Sequence, residues 1–170
     1  MRAGSLSMRS HGTWVIITSF LLAMILSIGA LPDFIPYEVG YLRPHWVALV
    51  LIYWVIALPY RVGIGAAWVL GLGLDVLLGS LLGQHALSLL LVAYVATSLY
   101  QRLRMFAVWQ QSMIVFAIIG LNQLVNFWIE SIAGSTQWTM WYLLPAVVSA
   151  LVWPWVFLFL RYARRLFHVT

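Results

Sequence analysis

One carboxylate, that of Asp75, lies within a long apolar stretch of this chain of 170 residues. Small residues precede and follow it at intervals of four: Gly63, Ala67, Gly71, Gly79 and Gly83. On a helix this spacing forms one stripe, along which a second helix can approach closely. An ionised aspartate facing lipid would cost ~2.5–3.5 kcal/mol on insertion scales. Asp75 is therefore expected to face protein, water or a proton donor, and it marks a candidate site.

A second polar stripe follows later in the chain, where Asn122, Asn126 and Glu130 are spaced at i, i+4 and i+8. Asn126 is predicted to lie at nearly the same membrane depth as Asp75. We expect both stripes to point into a helix bundle, with the amides donating hydrogen bonds to the carboxylate. Two interpretations stay open, a hydrogen-bond clasp that orders the helices and a ligand cavity or proton-linked site. The clasp is favoured because one carboxylate without a second acid or base makes a poor proton relay.

The remaining reactive residue types do not form a catalytic or metal-binding pattern. The four histidines are scattered, cysteine is absent, and neither a GxSxG nor an HExxH motif occurs. The one glycine-rich stretch is predicted to be a membrane helix, which is unsuited to bind phosphate as a P-loop does. We therefore predict no enzyme activity, no catalytic residues, no metal site and no cofactor.

Composition places the chain in a membrane. Hydrophobic residues make up 64% of it and charged residues only 8%, a balance that water-soluble domains of this size do not show. The net charge of +5 comes from arginines at the ends of apolar segments. These arginines do not form a patch that could bind nucleic acid. We predict one transmembrane domain, residues 1–170, surrounded by lipids and without a nucleic-acid partner.

The apolar segments predict an all-α membrane protein with about six transmembrane helices. The expected spans are residues 14–31, 45–58, 62–82, 86–100, 112–130 and 140–160. The first span could alternatively be a signal peptide, although its length favours an anchor. A tight hairpin at Gly83-Gln84-His85 is expected to join the third and fourth spans.

The arginines predict an orientation for these spans. Eight of them fall on one side and Arg43 alone on the other, which predicts that both termini are cytoplasmic. Asp33, Glu38 and Glu130 are then on the outer side. Residues near the predicted interfaces could anchor in lipid headgroups or contact partner proteins, and anchoring is the default interpretation. These residues are Arg43, Pro44, Trp46, Pro59, Arg61, Trp153 and Pro154.

Several motifs resemble a known family, the bacterial rod shape-determining protein MreD. They are Arg43-Pro44-His45-Trp46, Tyr53-Trp54, Pro59 with Arg61-Val62-Gly63, Gly71-Leu72-Gly73-Leu74-Asp75 with Gly79 and Leu82-Gly83, Trp109-Gln110-Gln111, Phe127-Trp128 with Glu130, and Trp153-Pro154-Trp155. His45 departs from the pattern, because many relatives carry asparagine there.

The resemblance implies a multi-pass protein of the bacterial inner membrane, within the rod complex or elongasome that directs peptidoglycan synthesis. Its implied role is a non-enzymatic scaffold that binds MreC and links MreB filaments to the synthases RodA and an elongation transpeptidase. The family is also similar in fold to the substrate-binding subunits of energy-coupling-factor transporters. The alternative function is therefore a membrane-embedded binding subunit for a small or lipid-linked ligand.

The two functions predict different effects of substitutions in the glycine stripe. As a scaffold, the protein should tolerate Asp75→Asn, whereas Gly71→Leu or Gly79→Leu should abolish rod shape. As a ligand-binding subunit, the protein should lose function with Asp75→Asn while it still inserts into the membrane and still binds MreC.

Overall fold

The structure, a computed structural model, describes residues 10–29, 43–134 and 140–167, so Asp33, Glu38 and His168 lie outside the described residues. It contains six α-helices: α1 (Ser10–Ile28), α2 (Trp46–Ala57), α3 (Ile64–Leu78), α4 (Gln84–Met105), α5 (Val108–Ile132) and α6 (Leu144–Leu166). A short 3-10 turn, Met140–Leu143, precedes α6. No strand occurs in the described parts of the chain, which confirms the all-α prediction.

Three of these helices, α4, α5 and α6, are long and apolar enough to cross a membrane. The other three are apolar but shorter, and α2 has only 12 residues, or ~18 Å of helix against a hydrocarbon core of ~30 Å. Six spans and two cytoplasmic termini therefore stay predictions.

The shortest helix, α2, forms the centre of the bundle. Its sequence is apolar all round, which is typical of a helix buried on every side, and ten of its residues are buried. It packs against α1, α4 and α6. The Trp54 indole donates to the Ser19 hydroxyl in α1 (2.8 Å), and the backbone amide of His45 donates to the Ser149 hydroxyl in α6 (2.9 Å).

The fourth helix is longer than predicted and contains Arg102 and Arg104, which were expected to lie beyond its end. Arg104 donates from Nε to the carbonyl of Ile56 (2.8 Å) and from Nη2 to that of Ala57 (2.9 Å). These carbonyls belong to the last turn of α2, whose C=O groups have no partner within their own helix. A cation from α4 therefore caps the end of the central helix, and that contact holds the last turn of α4 in place.

The outer faces of the helices are strongly apolar. Large exposed side chains include Trp14, Ile25, Trp128, Leu151 and Phe159. A water-soluble domain rarely exposes continuous apolar surface on this scale. The surface is therefore suited to contact lipid or the helices of other membrane proteins.

Candidate functional site

The third and fourth helices are joined by a turn with a glycine at each end. Gly79 (φ +64°) follows the last residue of α3, and Gly83 (φ +100°) precedes the first residue of α4. Both adopt the left-handed region, where a side chain would be strained. The predicted hairpin at Gly83-Gln84-His85 is therefore wrong, because Gln84 and His85 form the first turn of α4. The predicted glycine stripe is shorter too, since Gly63, Gly79 and Gly83 lie outside α3.

Within α3, Gly71 is the point of closest approach to α4. A Cβ at Gly71 would lie 2.6 Å from the amide nitrogen of Ala86 and 2.7 Å from the carbonyl oxygen of His85, and closer still to the Ala86 Cα. Real Cβ atoms do not approach backbone atoms so closely, so only glycine fits here. The contact holds α3 beside the first turn of α4 and brings Asp75, one helical turn further along α3, to the same turn.

Asp75 is almost fully buried and accepts hydrogen bonds on both carboxylate oxygens. Oδ1 accepts from the Ser80 hydroxyl, the His85 amide and His85 Nδ1, each at 2.9 Å, and Oδ2 accepts from the Gly83 amide at 2.8 Å. Two of these donors are backbone N–H groups at the start of α4, which an anionic group stabilises. The carboxylate of α3 therefore caps α4 from the preceding helix.

These partners correct the prediction that amides of the fifth segment satisfy Asp75. Asn122 and Asn126 are buried on α5, as the stripe predicted, but they are not among the donors to the carboxylate. Their Oδ1 atoms have no hydrogen-bond partner within the described residues. Gln123, beside them, donates to the carbonyl of Tyr142 (2.8 Å) and so links α5 to the start of α6.

The second acid of the site, Glu130, contacts the same end of α4 as Asp75 does. Gln84 donates from Nε2 to Glu130 Oε1 at 2.7 Å. Two consecutive residues of α4, Gln84 and His85, thus bind one carboxylate from α5 and one from α3. We refer to Asp75, Gln84, His85 and Glu130 as the α4 clasp. It joins α3, α4 and α5 through charge-assisted hydrogen bonds.

The geometry of Ser80, His85 and Asp75 differs from that of a catalytic triad. In a triad the carboxylate and the nucleophilic hydroxyl bind opposite nitrogens of the imidazole. Here Ser80 Oγ lies 3.2 Å from His85 Nδ1, the nitrogen that also contacts Asp75. The arrangement therefore orients His85 without activating the serine. In the described parts of the chain, no three histidine, aspartate or glutamate residues form a group that could hold a metal ion.

A cavity of approximately 230 Å³ lies beside the α4 clasp. Ser27, Arg43, His45, His85 and Asn122 supply its polar lining, and Pro44 and Trp46 also reach it. Three residues predicted as interfacial, Arg43, Pro44 and Trp46, are thereby brought together with Asn122 of the predicted second stripe.

The other predicted interfacial residues are dispersed. Pro59 and Arg61 lie in the turn between α2 and α3, where Arg61 is exposed. Trp153 is fully buried within α6 and donates to Gln111 Oε1 at 3.3 Å, so its assignment as an interfacial or partner contact is wrong. Pro154 lies inside the same helix and is half-buried. Trp153 therefore lies on the side of α6 that packs into the bundle.

Ser80, Gln84 and His85 were not predicted as site residues. One signal for them exists in the sequence, because a turn of Gly79 to Gly83 is short enough to return the end of one helix to the start of the next. An acid in the last turn before such a loop can reach the free amides after it. Which donors it reaches depends on the path of the turn.

Comparison with known proteins identifies the family. A family model described as rod shape-determining protein MreD matches residues 8–163 of the chain. Rod shape-determining protein MreD from Haemophilus influenzae is 38% identical over 154 residues, which cover 89% of this chain and 91% of that protein. The resemblance inferred from the motifs is thus confirmed. No solved structure matches the chain, so the similarity in fold to energy-coupling-factor subunits stays a prediction.

Proposed function

Since this chain belongs to the MreD family of rod shape-determining proteins, a family with a role in cell shape, we propose that it is a non-enzymatic scaffold of the rod complex in the bacterial inner membrane. The scaffold binds the membrane-spanning helix of MreC. Through that contact it links MreB to peptidoglycan synthesis by RodA and an elongation transpeptidase. The observation that carries the proposal is an apolar groove on the surface of the helix bundle.

The groove lies between α1 and α6, with α2 as its floor, and has a volume of approximately 820 Å³. Its lining is almost entirely apolar and includes Leu22 and Leu26 from α1, Val50 from α2, and Val156 and Phe159 from α6. The side chains of Leu22 and Phe159 are 50% and 63% exposed. The groove is thus open to the membrane and lacks a covering element among the described residues.

The shape of the groove favours a helix over a compact molecule. Its lining on α1 runs from Trp14 to Leu26. On α6 and the residue that follows this helix, the lining runs from Val152 to Phe167, so the groove extends ~20 Å along each helix. Small side chains, Ser19 and Ala23, lie along it. Small residues permit the close backbone approach on which helix association in lipid depends.

Disulfide crosslinking tests this site, and the chain suits it because it contains no cysteine. Leu22→Cys or Phe159→Cys would be combined with MreC variants that carry one cysteine at successive positions of the spanning helix. We expect crosslinks at both groove positions, recurring with the helical period along the MreC helix. Reaction would be read from non-reducing gels of membranes.

Neighbouring positions on the same helices provide the matched controls. Leu21 and Leu158 are similarly exposed, at 54% and 55%, and do not line the groove. Leu21→Cys and Leu158→Cys should crosslink weakly at every MreC position. Equal or stronger crosslinking at these controls would contradict the proposed binding surface.

A further inference from the structure

The cavity beside the α4 clasp contains hydrogen-bonding groups that the bundle itself does not use. The first set is at the start of α2, which has no side-chain cap. Val47 and Ala48 belong to this uncapped first turn, and both line the cavity. The first amides of a helix lack partners within the helix, and together with the helix dipole they favour an anion.

A second, independent feature is a buried amide. Asn122 is only 2% exposed, it lines the cavity, and its Oδ1 has no hydrogen-bond partner among the described residues. Buried polar atoms without a partner are uncommon in folded proteins, and binding of an ion or water is one explanation for them. A half-rotation of the amide presents its two N–H donors instead of its oxygen.

The charge of the cavity lining also favours an anion. Arg43 supplies a positive charge, and no aspartate or glutamate belongs to the lining. Asp75 lies behind His85, and both of its oxygens are occupied by Ser80, Gly83 and His85. Asp75 accepts from Nδ1 of His85, which leaves Nε2 of a neutral imidazole without a proton, so His85 is not counted among the donors to the anion. Asp75 is thus a positioning residue for this imidazole.

Apart from Ser27, the remaining lining is apolar and includes leucines from three helices, Leu26, Leu74, Leu78 and Leu89. A free oxyanion would use only the polar part of such a cavity. A ligand with an anionic group joined to hydrocarbon would use both parts.

We propose that this cavity binds the phosphate group of an anionic lipid, with Arg43, His45, Asn122 and the uncapped start of α2 contacting the phosphate oxygens. Guanidinium groups, helix N-termini and amide donors are the groups that recognise phosphate in proteins. The leucines then contact the first part of the lipid chains. The cavity shares Leu26 and Trp46 with the groove between α1 and α6. Its polar residues Arg43, His45 and Asn122 do not line that groove, so the proposed phosphate contacts do not depend on the proposed scaffold function.

Native mass spectrometry of the full chain in a phosphate-free, non-ionic detergent tests the site. The probes are dioleoyl phosphatidic acid, dioleoylglycerol as the matched lipid without phosphate, and inorganic phosphate as a competitor. We expect saturable binding of one phosphatidic acid per chain and weaker binding of dioleoylglycerol. Arg43→Gln should weaken binding of phosphatidic acid about tenfold or more, the effect of losing one charge-assisted hydrogen bond.

Two further variants keep the outcome interpretable. Arg102→Gln removes the same charge from an exposed position outside the cavity and should leave binding unchanged. Asn122→Ala removes no hydrogen bond made by Oδ1, so it should fold normally while it weakens binding.

Each result decides the proposal. Binding that is lost in Arg43→Gln and Asn122→Ala supports the site. Competition by inorganic phosphate supports it as well, and shows that the phosphate group alone is recognised. Equal binding of dioleoylglycerol and phosphatidic acid, or unchanged binding in folded Arg43→Gln and Asn122→Ala, would overturn it.

Discussion

Replacing Asp75 with asparagine tests whether the carboxylate holds the bundle together. Asparagine has nearly the same shape, but it accepts hydrogen bonds on one oxygen only. If that oxygen keeps the bonds from Ser80 and His85, the new NH₂ group faces the Gly83 amide, which donates to Oδ2 at 2.8 Å in the native protein. Two donors then face each other at the start of α4. Under the scaffold interpretation the sequence alone predicted a mild effect, whereas these contacts predict a destabilised protein.

The size of the effect follows from the bonds that are lost. Asp75→Asn removes one hydrogen bond to a charged acceptor, ~1.5–3 kcal/mol, and leaves the Gly83 amide unsatisfied. We therefore expect the free energy of unfolding to fall by about 2–4 kcal/mol. Ser80→Ala removes one of four donors to the carboxylate and should lower it by about 1 kcal/mol. Asp75→Ala removes every acceptor and should be the most damaging of the three.

Unfolding of the purified protein by sodium dodecyl sulfate in mixed micelles, followed by far-ultraviolet circular dichroism, would measure this series. The expected order of destabilisation is Ser80→Ala, then Asp75→Asn, then Asp75→Ala. A rod-shape complementation assay, read against the amount of protein in the membrane, shows whether loss of shape follows loss of folded protein. The reasoning is refuted if Asp75→Asn unfolds like the native protein or like Ser80→Ala.

Two further predictions concern helix contacts. Gly71→Ala should lower the free energy of unfolding by about 1–3 kcal/mol or more, because the new Cβ would meet the backbone of Ala86. Gly65→Ala is the control in the same helix, since its new Cβ has open space around it, and it should be neutral or stabilising by up to ~1 kcal/mol. Equal effects of the two variants in detergent unfolding would refute this prediction. Arg104→Ala removes two bonds to carbonyls at the end of α2 and should lower the free energy of unfolding by ~1–3 kcal/mol. Arg102→Ala removes the same charge from a position that is exposed as well and makes no bond to α2, so it should change the free energy little. A similar loss in both variants would contradict the capping role of Arg104.

Membrane character, helical class and family were all evident before the structure was known. They depend on properties that act locally, namely the length of apolar segments, the arginines at their ends and short motifs such as Gly71-Leu72-Gly73-Leu74-Asp75. Burial of Asp75 was predictable for the same reason, because a carboxylate in an apolar helix cannot face lipid at low cost. The number of spans and their orientation stay predictions from the same signals.

The partners of Asp75 were decided by tertiary structure. Helical periodicity predicted that Asn126 lies at nearly the depth of Asp75, but depth does not determine which neighbour is close in the plane of the membrane. Two glycines with positive φ end α3 early and start α4, and this turn returns His85 to the carboxylate. Small shifts in where a helix ends thus redirect every side chain beyond that point. The sequence by itself determined that Asp75 needs a partner, and only the path of the chain through Gly79 and Gly83 decided which one it has.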